Sequence, residues 1–360
     1  MVDADGNVAQ MDQKHKNAST GLDVAAKAGE VRDKNGRILP ARDFPDMKAL
    51  TDYIHCFGLK AGIYTSPGPL TCQRFEGSYG HEALDAQTFA AWGFDLLKYD
   101  WCSYGRVFNS LPRNQQNDEA RKKPYIVMGT LLATQDRDIV HNLCQYGMAK
   151  VWQWGTEAGQ SWRVGGDLGH TLTRGGVYNI ARKTVEIRNS NGPGSWNDPD
   201  YLILGRWTSP FDKAAPLVPV QLTAAEQYSY MSLWCLMACP LFFSGDMFTL
   251  DDFTRNILCN TDLIAVNQDR RGQCAEPVRM EQEAWVLKKT LADGSVVVGI
   301  FDVANQGDRI IVATWGGLGL TGPQQVRDLW RQKELGTISG RLAVHVGPRG
   351  CAVFKLSKAR

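Results

Sequence analysis

The chain lacks most of the features that would take it out of the ordinary globular enzymes. No apolar run reaches the roughly 20 residues of a membrane-spanning helix. The longest, YSYMSLWCLMACPLFF from Tyr228 to Phe243, contains a proline and reads as a core helix running into a strand. An excess of one charge sign is also missing. The 40 Lys and Arg residues nearly balance 38 Asp and Glu, and the basic residues are scattered, so nothing supplies the field that nucleic acid requires. The opening stretch MVDADGNVAQMDQKHKNAS has neither a basic n-region nor an apolar h-region, so no signal peptide is visible. The 9 cysteines show no CxxC or Cys/His ligand spacing, which removes support for a zinc site. A GxSxG elbow, a glycine-rich phosphate loop and HExxH are all absent, as are low-complexity linkers and short-period repeats. No metal and no cofactor is expected.

What is present is a globular composition, 43% hydrophobic and 22% charged over 360 residues, enough for a substantial core and a second, smaller domain. Most of the cysteines are expected to be buried thiols. Strand and helix signals alternate. PDMKALTDYIHCF at 45–57 places Met47, Leu50, Ile54 and Phe57 at helical spacing, and Gly58 suits the C′ position. The apolar strand LKAGIYTS follows at 59–66 and is closed by the Pro67-Gly68-Pro69 turn. HEALDAQTFAAWG then puts Leu84, Thr88, Ala91 and Trp92 on one helical stripe before another terminal glycine, and FDLLKYDWC at 94–102 is the next strand. Further strand-like segments with polar ends are RDIVHNLCQYG at 137–147, SWRVGGD at 161–167, SWNDPDYLILG at 195–205 and PLFFSGD at 240–246. Short strands alternating with helices indicate a parallel α/β sheet. After about Gly272 the texture becomes β-rich, with EAWVLKKTLADGSVVVGIFDV turning at Asp293-Gly294, then RIIVATW, RLAVHV and CAVFKL, and no convincing helix between them. This predicts an antiparallel β domain packed directly on the first.

In FDLLKYDWC, strand alternation puts Lys98, Asp100 and Cys102 on one face and Tyr99 and Trp101 on the other. Functional groups of parallel α/β domains gather at the carboxyl ends of strands. Those ends carry Lys98 and Asp100, then Cys144 with Gln145 and Tyr146, Arg163 and Asp167, Asp198 and Asp200, and finally Asp246. Carboxylates, aromatics and an arginine suit a polyol, since aromatic faces stack on sugar rings while charged groups bind hydroxyls. Two carboxylates can divide glycosidic cleavage between attack and protonation. Cys72 and Cys102 each follow a predicted strand at the same end of the sheet, where a disulfide could join neighbouring loops in an oxidising compartment.

The stretch GLKAGIYTSPGPLTCQRFEGSYGHEALDAQTFAAWGFDLLKYDWC, followed in order by NLCQYG, SWRVGGD, GPGSWNDPDYLILG and PLFFSGD, resembles glycoside hydrolase family 27, the α-galactosidase (melibiase) family. The likeness runs from about Val31 to about Asn267, and the C-terminal β domain resembles the family's appendage more loosely. It implies a (β/α)8 TIM-like barrel over 31–272 followed by a small antiparallel β-sandwich over 273–360. Residues 1–30 match nothing. Segments that begin the family's barrel, a WNSW-like strand and an acidic DD pair, have no counterpart here, so the barrel is expected to be incomplete at its N-terminus.

By the same resemblance Asp100 is the nucleophile of a retaining double displacement and Asp167 the general acid and base, which is expected to be partly buried. Lys98 contacts sugar hydroxyls, and Arg163, Cys144, Tyr146, Asp200 and Cys72 line the sugar site, with Cys72 and Cys102 paired as a disulfide. Tyr146 stands where the family usually has tryptophan, Tyr201 replaces a usual methionine, and Gln145 occupies a position that varies with substrate preference. Asp198, before Pro199, is read as a backbone-bonding residue outside the site. The implied activity is hydrolysis of terminal α-D-galactosides in an oligosaccharide or polysaccharide. The alternatives are a catalytically inactive, truncated sugar-binding homologue and a β-L-arabinopyranosidase. A secreted or periplasmic location follows from the disulfide, whereas the oligomeric state has no signal in the sequence.

Overall fold

The computed structural model describes residues 31–168, 176–208 and 215–359. The expected unmatched segment, residues 1–30, lies outside the described residues. The chain divides into two compact units, Met1–Trp162 and Arg163–Arg360.

In the first unit, helix α1 (Met47–Cys56) is opened by Asp46, whose carboxylate accepts the Ala49 N–H, a local contact that satisfies an orphan donor. Gly58 closes it with φ +72°, the left-handed geometry that a residue without Cβ adopts cheaply. Strand β1 (Gly62–Thr65) follows, then α2 (Glu82–Trp92), β2 (Leu96–Asp100), α3 (Tyr104–Ser110), α4 (Asp118–Ala133), β3 (Val140–Cys144) and β4 (Ser161–Arg163). Neighbouring strands pair in parallel, with Tyr64 opposite Lys98, Asp100 opposite Cys144, and Asn142 opposite Ser161. Leu97, Tyr99, Phe89, Tyr125 and Leu143 fill the core. The buried face of α2 differs from expectation. Asp85, Ala86, Thr88 and Phe89 are buried while Ala91 is exposed. Asp85 can turn inward because Arg32 meets both of its oxygens, at 2.7 and 3.0 Å, neutralising a charge that would otherwise be costly to bury.

The second unit contains α5 (Val177–Glu186), β5 (Trp196–Asp198), a short hairpin of β6 (Arg206–Trp207) and β7 (Val218–Pro219), α6 (Ala224–Leu236), α7 (Asp252–Leu258) and α8 (Thr261–Asn267). Helix α6 is the expected core helix, started by a reciprocal capping box of Thr223 and Glu226. The PLFFSGD segment is not a full strand. It makes one parallel bridge, Leu202 to Phe243, flanked by the bonds Leu202 N to Phe242 O and Ser244 N to Leu202 O.

The β domain comprises β8 (Glu276–Met280), β9 (Ala284–Thr290), β10 (Val296–Asp302), β11 (Arg309–Thr314), the short helix α9 (Trp315–Leu318), β12 (Gln324–Asp328), β13 (Lys333–Ile338), β14 (Arg341–Val346) and β15 (Cys351–Lys358). Six strands form an antiparallel sheet in the order β13-β12-β15-β10-β9-β8, and β11 pairs with β14. Val286, Val298, Ile300, Val326 and Leu356 of the larger sheet share a core with Ile311, Ala313, Leu342 and Val346 of the smaller, which makes the domain a sandwich. It packs directly on α6. Lys289, buried in β9, donates to the Cys235 carbonyl at 3.2 Å, and the Trp330 indole donates to Ser232 at 2.8 Å. The observed class is the expected one, parallel α/β of barrel type followed by an antiparallel β-sandwich domain.

Candidate active site

The site residues expected from the sequence fall into two groups, one in each unit. In the first, parallel pairing brings the carboxyl ends of β1, β2 and β3 together, so Tyr64, Lys98, Asp100 and Cys144 lie within a few residues of one sheet end. Asp100 is only 8% exposed. Burying a carboxylate is tolerable only with donors, and two phenols supply them. Tyr64 donates to Oδ2 at 2.9 Å and Tyr146 donates to Oδ1 at 3.0 Å. Burial and the charge of Asp100 push the Tyr64 hydroxyl far above the ordinary tyrosine range, so it remains protonated and acts as donor.

Cys72 and Cys102 are joined as a disulfide with Cα atoms 5.1 Å apart. The bond ties the loop after β1 to the turn directly after Asp100, and the Tyr64 hydroxyl also lies 2.9 Å from Cys102 Sγ. Both sulfurs and an Asp100 oxygen lie within 4.8 Å of one another, but the sulfurs are committed to each other and offer no thiolate to a metal. Of the other cysteines, Cys144, Cys235, Cys239 and Cys274 are buried thiols, whereas Cys56 and Cys259 are exposed.

Cys144 is fully buried, and its carbonyl accepts the Trp101 N–H and the Tyr125 hydroxyl, anchoring the start of the next loop. Tyr146 takes φ +61°, an uncommon conformation for a residue with a Cβ, and this turn directs its ring to Asp100. Gln145 is buried with its amide engaged by its own loop, accepting from Gly147 N at 2.9 Å and donating to Met148 O at 3.2 Å. Lys98 sits two residues before Asp100 on the same strand face and is half-buried.

In the second unit Arg163, Asp167 and Asp200 converge. One guanidinium nitrogen of Arg163 lies 2.9 Å from Asp200 Oδ2 and 3.1 Å from Asp167 Oδ1. Arg163 and Asp200 are both buried, and Asp200 Oδ2 also accepts the Leu168 N–H at 2.7 Å. Asp200 therefore holds the turn that carries Asp167. Its backbone has φ +94°, and the neighbouring Asp198 carboxylate accepts the Asp200 N–H at 2.8 Å, which places Asp198 in a backbone-supporting role. Val164 N bonds to Asp198 O, fixing the β4 exit against β5. Asp167 departs from the expected partial burial. Its side chain is 67% exposed, while Asp200 takes the buried place beside Arg163.

Tyr64 was not identifiable from sequence as a site residue. In LKAGIYTS it reads as one more apolar strand position, and the signal available was only its place near the strand's carboxyl end, one turn of chain before the Cys72 loop.

A family profile described as alpha galactosidase A matches residues 22–269, and one described as the alpha galactosidase C-terminal beta sandwich domain matches residues 281–356. The alpha-galactosidase of Cyamopsis tetragonoloba is 32% identical over 331 residues, covering 91% of this chain and 74% of that protein. Crystalline alpha-galactosidase I from Mortierella vinacea superposes with a TM-score of 0.79 at 27% identity, covering 91% of this chain and 84% of that one. A family 27 β-L-arabinopyranosidase from Geobacillus stearothermophilus shares the fold with a TM-score of 0.77 at 23% identity, covering 91% and 83%.

Proposed function

Because this chain belongs to glycoside hydrolase family 27, the α-galactosidase (melibiase) family, we propose that it is a retaining exo-glycosidase that removes terminal α-D-galactose by double displacement. The observation that carries the reading is Asp100, nearly buried at a strand end with both oxygens held by phenols. In the first step an Asp100 oxygen forms a bond to the anomeric carbon as the glycosidic C–O bond breaks, and the leaving oxygen takes a proton from Asp167. In the second, Asp167 takes a proton from water as that water attacks the anomeric carbon, the ester bond breaks, and Asp100 is restored. Two inversions give net retention. Arg163 and Asp200 set the turn bearing Asp167, and Lys98, Cys144 and Tyr146, near the same sheet end as Asp100, are assigned to sugar binding by the family resemblance. The substrate class is a galactose-terminated oligosaccharide or polysaccharide.

The test is turnover of p-nitrophenyl α-D-galactopyranoside followed by NMR of the nascent sugar. Release of α-galactose first supports the reading. β-Galactose first would sink retention, and binding without release would leave a sugar-binding protein. The same assay with p-nitrophenyl β-L-arabinopyranoside settles preference, which the engaged amide of Gln145 does not by itself dictate. The Cys72–Cys102 disulfide supports a location outside the cytoplasm. No described helix is long and apolar enough to cross a membrane.

A further inference from the structure

The two oxygens of Asp100 are held by differently anchored donors, and a nucleophile cannot keep both. Tyr64 belongs to β1, is paired in register with Lys98 of β2, and its hydroxyl is held at 2.9 Å from Oδ2 and 2.9 Å from the disulfide sulfur of Cys102. Tyr146 belongs to the loop after β3 and reaches Oδ1 through a left-handed turn with no strand pairing of its own. When a carboxylate becomes an ester, the attacking oxygen loses much of its acceptor strength while the other becomes a carbonyl that still accepts. The donor to the attacking oxygen must therefore give way, and the donor to the other is best fixed in advance.

We propose that Oδ1 of Asp100, the oxygen held by Tyr146, attacks the anomeric carbon, and that Tyr64 keeps its hydrogen bond to Oδ2 as the carbonyl oxygen of the glycosyl-enzyme. This deepens the proposed retaining mechanism and rests on it. As Oδ1 bonds to carbon and the glycosidic bond breaks, the Tyr146 hydroxyl is released toward the sugar, keeping its proton. Tyr64 and Tyr146 are positioning residues with opposite demands. Tyr64 supports the transition state and the intermediate, whereas Tyr146 orients the resting carboxylate and must be displaced.

The kinetic test compares Tyr64→Phe, Tyr146→Phe and Tyr146→Trp on dinitrophenyl α-D-galactopyranoside. Tyr64→Phe is expected to lower kcat by about 10²-fold without raising KM, because turnover of this activated substrate waits on hydrolysis of the ester, in which negative charge returns to Asp100 and Tyr64 is the donor fixed on it. Tyr146→Phe removes a donor that orients the resting carboxylate and is expected to lower kcat/KM, chiefly through KM, with a kcat loss at least about tenfold smaller than that of Tyr64→Phe, and Tyr146→Trp, the residue usual in the family, is expected to follow the same order. Equal losses from Tyr64→Phe and Tyr146→Phe, or a larger loss from the latter, would overturn the assignment. A measurement that needs no variant is the crystal structure of the wild-type enzyme labelled with 5-fluoro-α-D-galactopyranosyl fluoride. An ester carbonyl oxygen about 3 Å from the Tyr64 hydroxyl supports the proposal, and one facing Tyr146 overturns it. If the wild type turns over no galactoside and takes no label, the functional reading falls and this inference falls with it. If it turns over normally but the ester carbonyl faces Tyr146, only this inference falls.

Discussion

The end of β2 in the first unit and the turn after β4 in the second each present an aspartate, and the two are held in contrasting ways. Asp100 is almost buried, with both oxygens bonded and a disulfide two residues along the chain. Asp167 is two-thirds exposed and touches a guanidinium that a buried neighbour, Asp200, already engages. A group that attacks carbon gains from an orientation fixed beforehand, here by the Tyr64 donor that stays in place while Tyr146 gives way. A group that gives up a proton and regains it each cycle needs access to water. The difference in burial therefore matches the two proposed roles, and it teaches that Asp167 is positioned more by what holds its turn than by what surrounds its carboxyl.

The largest effect should come from breaking the first of these. Asp100→Gly is expected to reduce kcat by about 10⁴-fold or more, since no glycosyl-enzyme can form. Added azide should enter the gap and give a product of inverted configuration. Asp167→Gly should cost about 10² to 10⁴-fold on substrates with poor leaving groups and much less on the first step with dinitrophenolate, which needs no proton. Azide should then restore turnover with net retention. The same anomer from both variants, read by NMR, would reverse or merge the assigned roles.

A change at Asp200 tests whether the second group is built from the inside outward. Arg163 is buried, so Asp200→Ala removes the buried carboxylate 2.9 Å from its guanidinium, and loss of one partner of a buried pair costs about 3 to 5 kcal/mol. Chemical denaturation should show a loss of that order together with loss of activity. A loss below about 1 kcal/mol would mean that the pair does not support the turn.

The sequence made Asp100 legible because charge at the end of an alternating apolar strand is a local pattern, and the family resemblance of the stretch ending FDLLKYDWC reinforces it. The helix ends at Gly58 and Gly93 were legible for the same reason, since a left-handed residue is chosen by its own backbone. What stayed hidden depends on partners far along the chain. Tyr64 becomes a site residue only when β1 and β2 pair, and Asp85 becomes a core residue only when Arg32 reaches it. In the β domain, Glu276–Met280 and Lys333–Ile338 pair as outer strands although their charge and mixed pattern give little sign of it. The exposure of Asp167 was misjudged because Asp200, which lies 33 residues later by sequence number, occupies the buried position.

A smaller effect should appear at the other end of β2, where a third aspartate contrasts with both. Asp95 lies just before the strand and is held by a guanidinium, an imidazole and a backbone N–H. Arg137 approaches Oδ1 at 2.6 Å, His55 Nε2 meets Oδ2 at 2.7 Å, and the Ala61 N–H donates to Oδ2 at 2.8 Å. Burial alone would raise this carboxyl, but the Ala61 N–H and the His55 and Arg137 side chains outweigh it and hold the group well below the usual carboxylate range. The unfolded chain, with an ordinary carboxyl near pH 4, then binds the proton more readily than the folded one, so folding stability from this group is fully present above that pH and is lost as pH falls. Asp95→Asn keeps an acceptor for Ala61 and removes the charge. It should lower the unfolding free energy at pH 7 by about 1.5 to 3 kcal/mol, the range for hydrogen bonds to charged groups, and by clearly less at pH 3. Lys60, exposed and 3.5 Å away, should contribute little to that difference. The measurement is urea denaturation of both proteins at the two pH values. A deficit that is equal at pH 3 and pH 7, or larger at pH 3, would show that the groups around Asp95 do not stabilise its charged form.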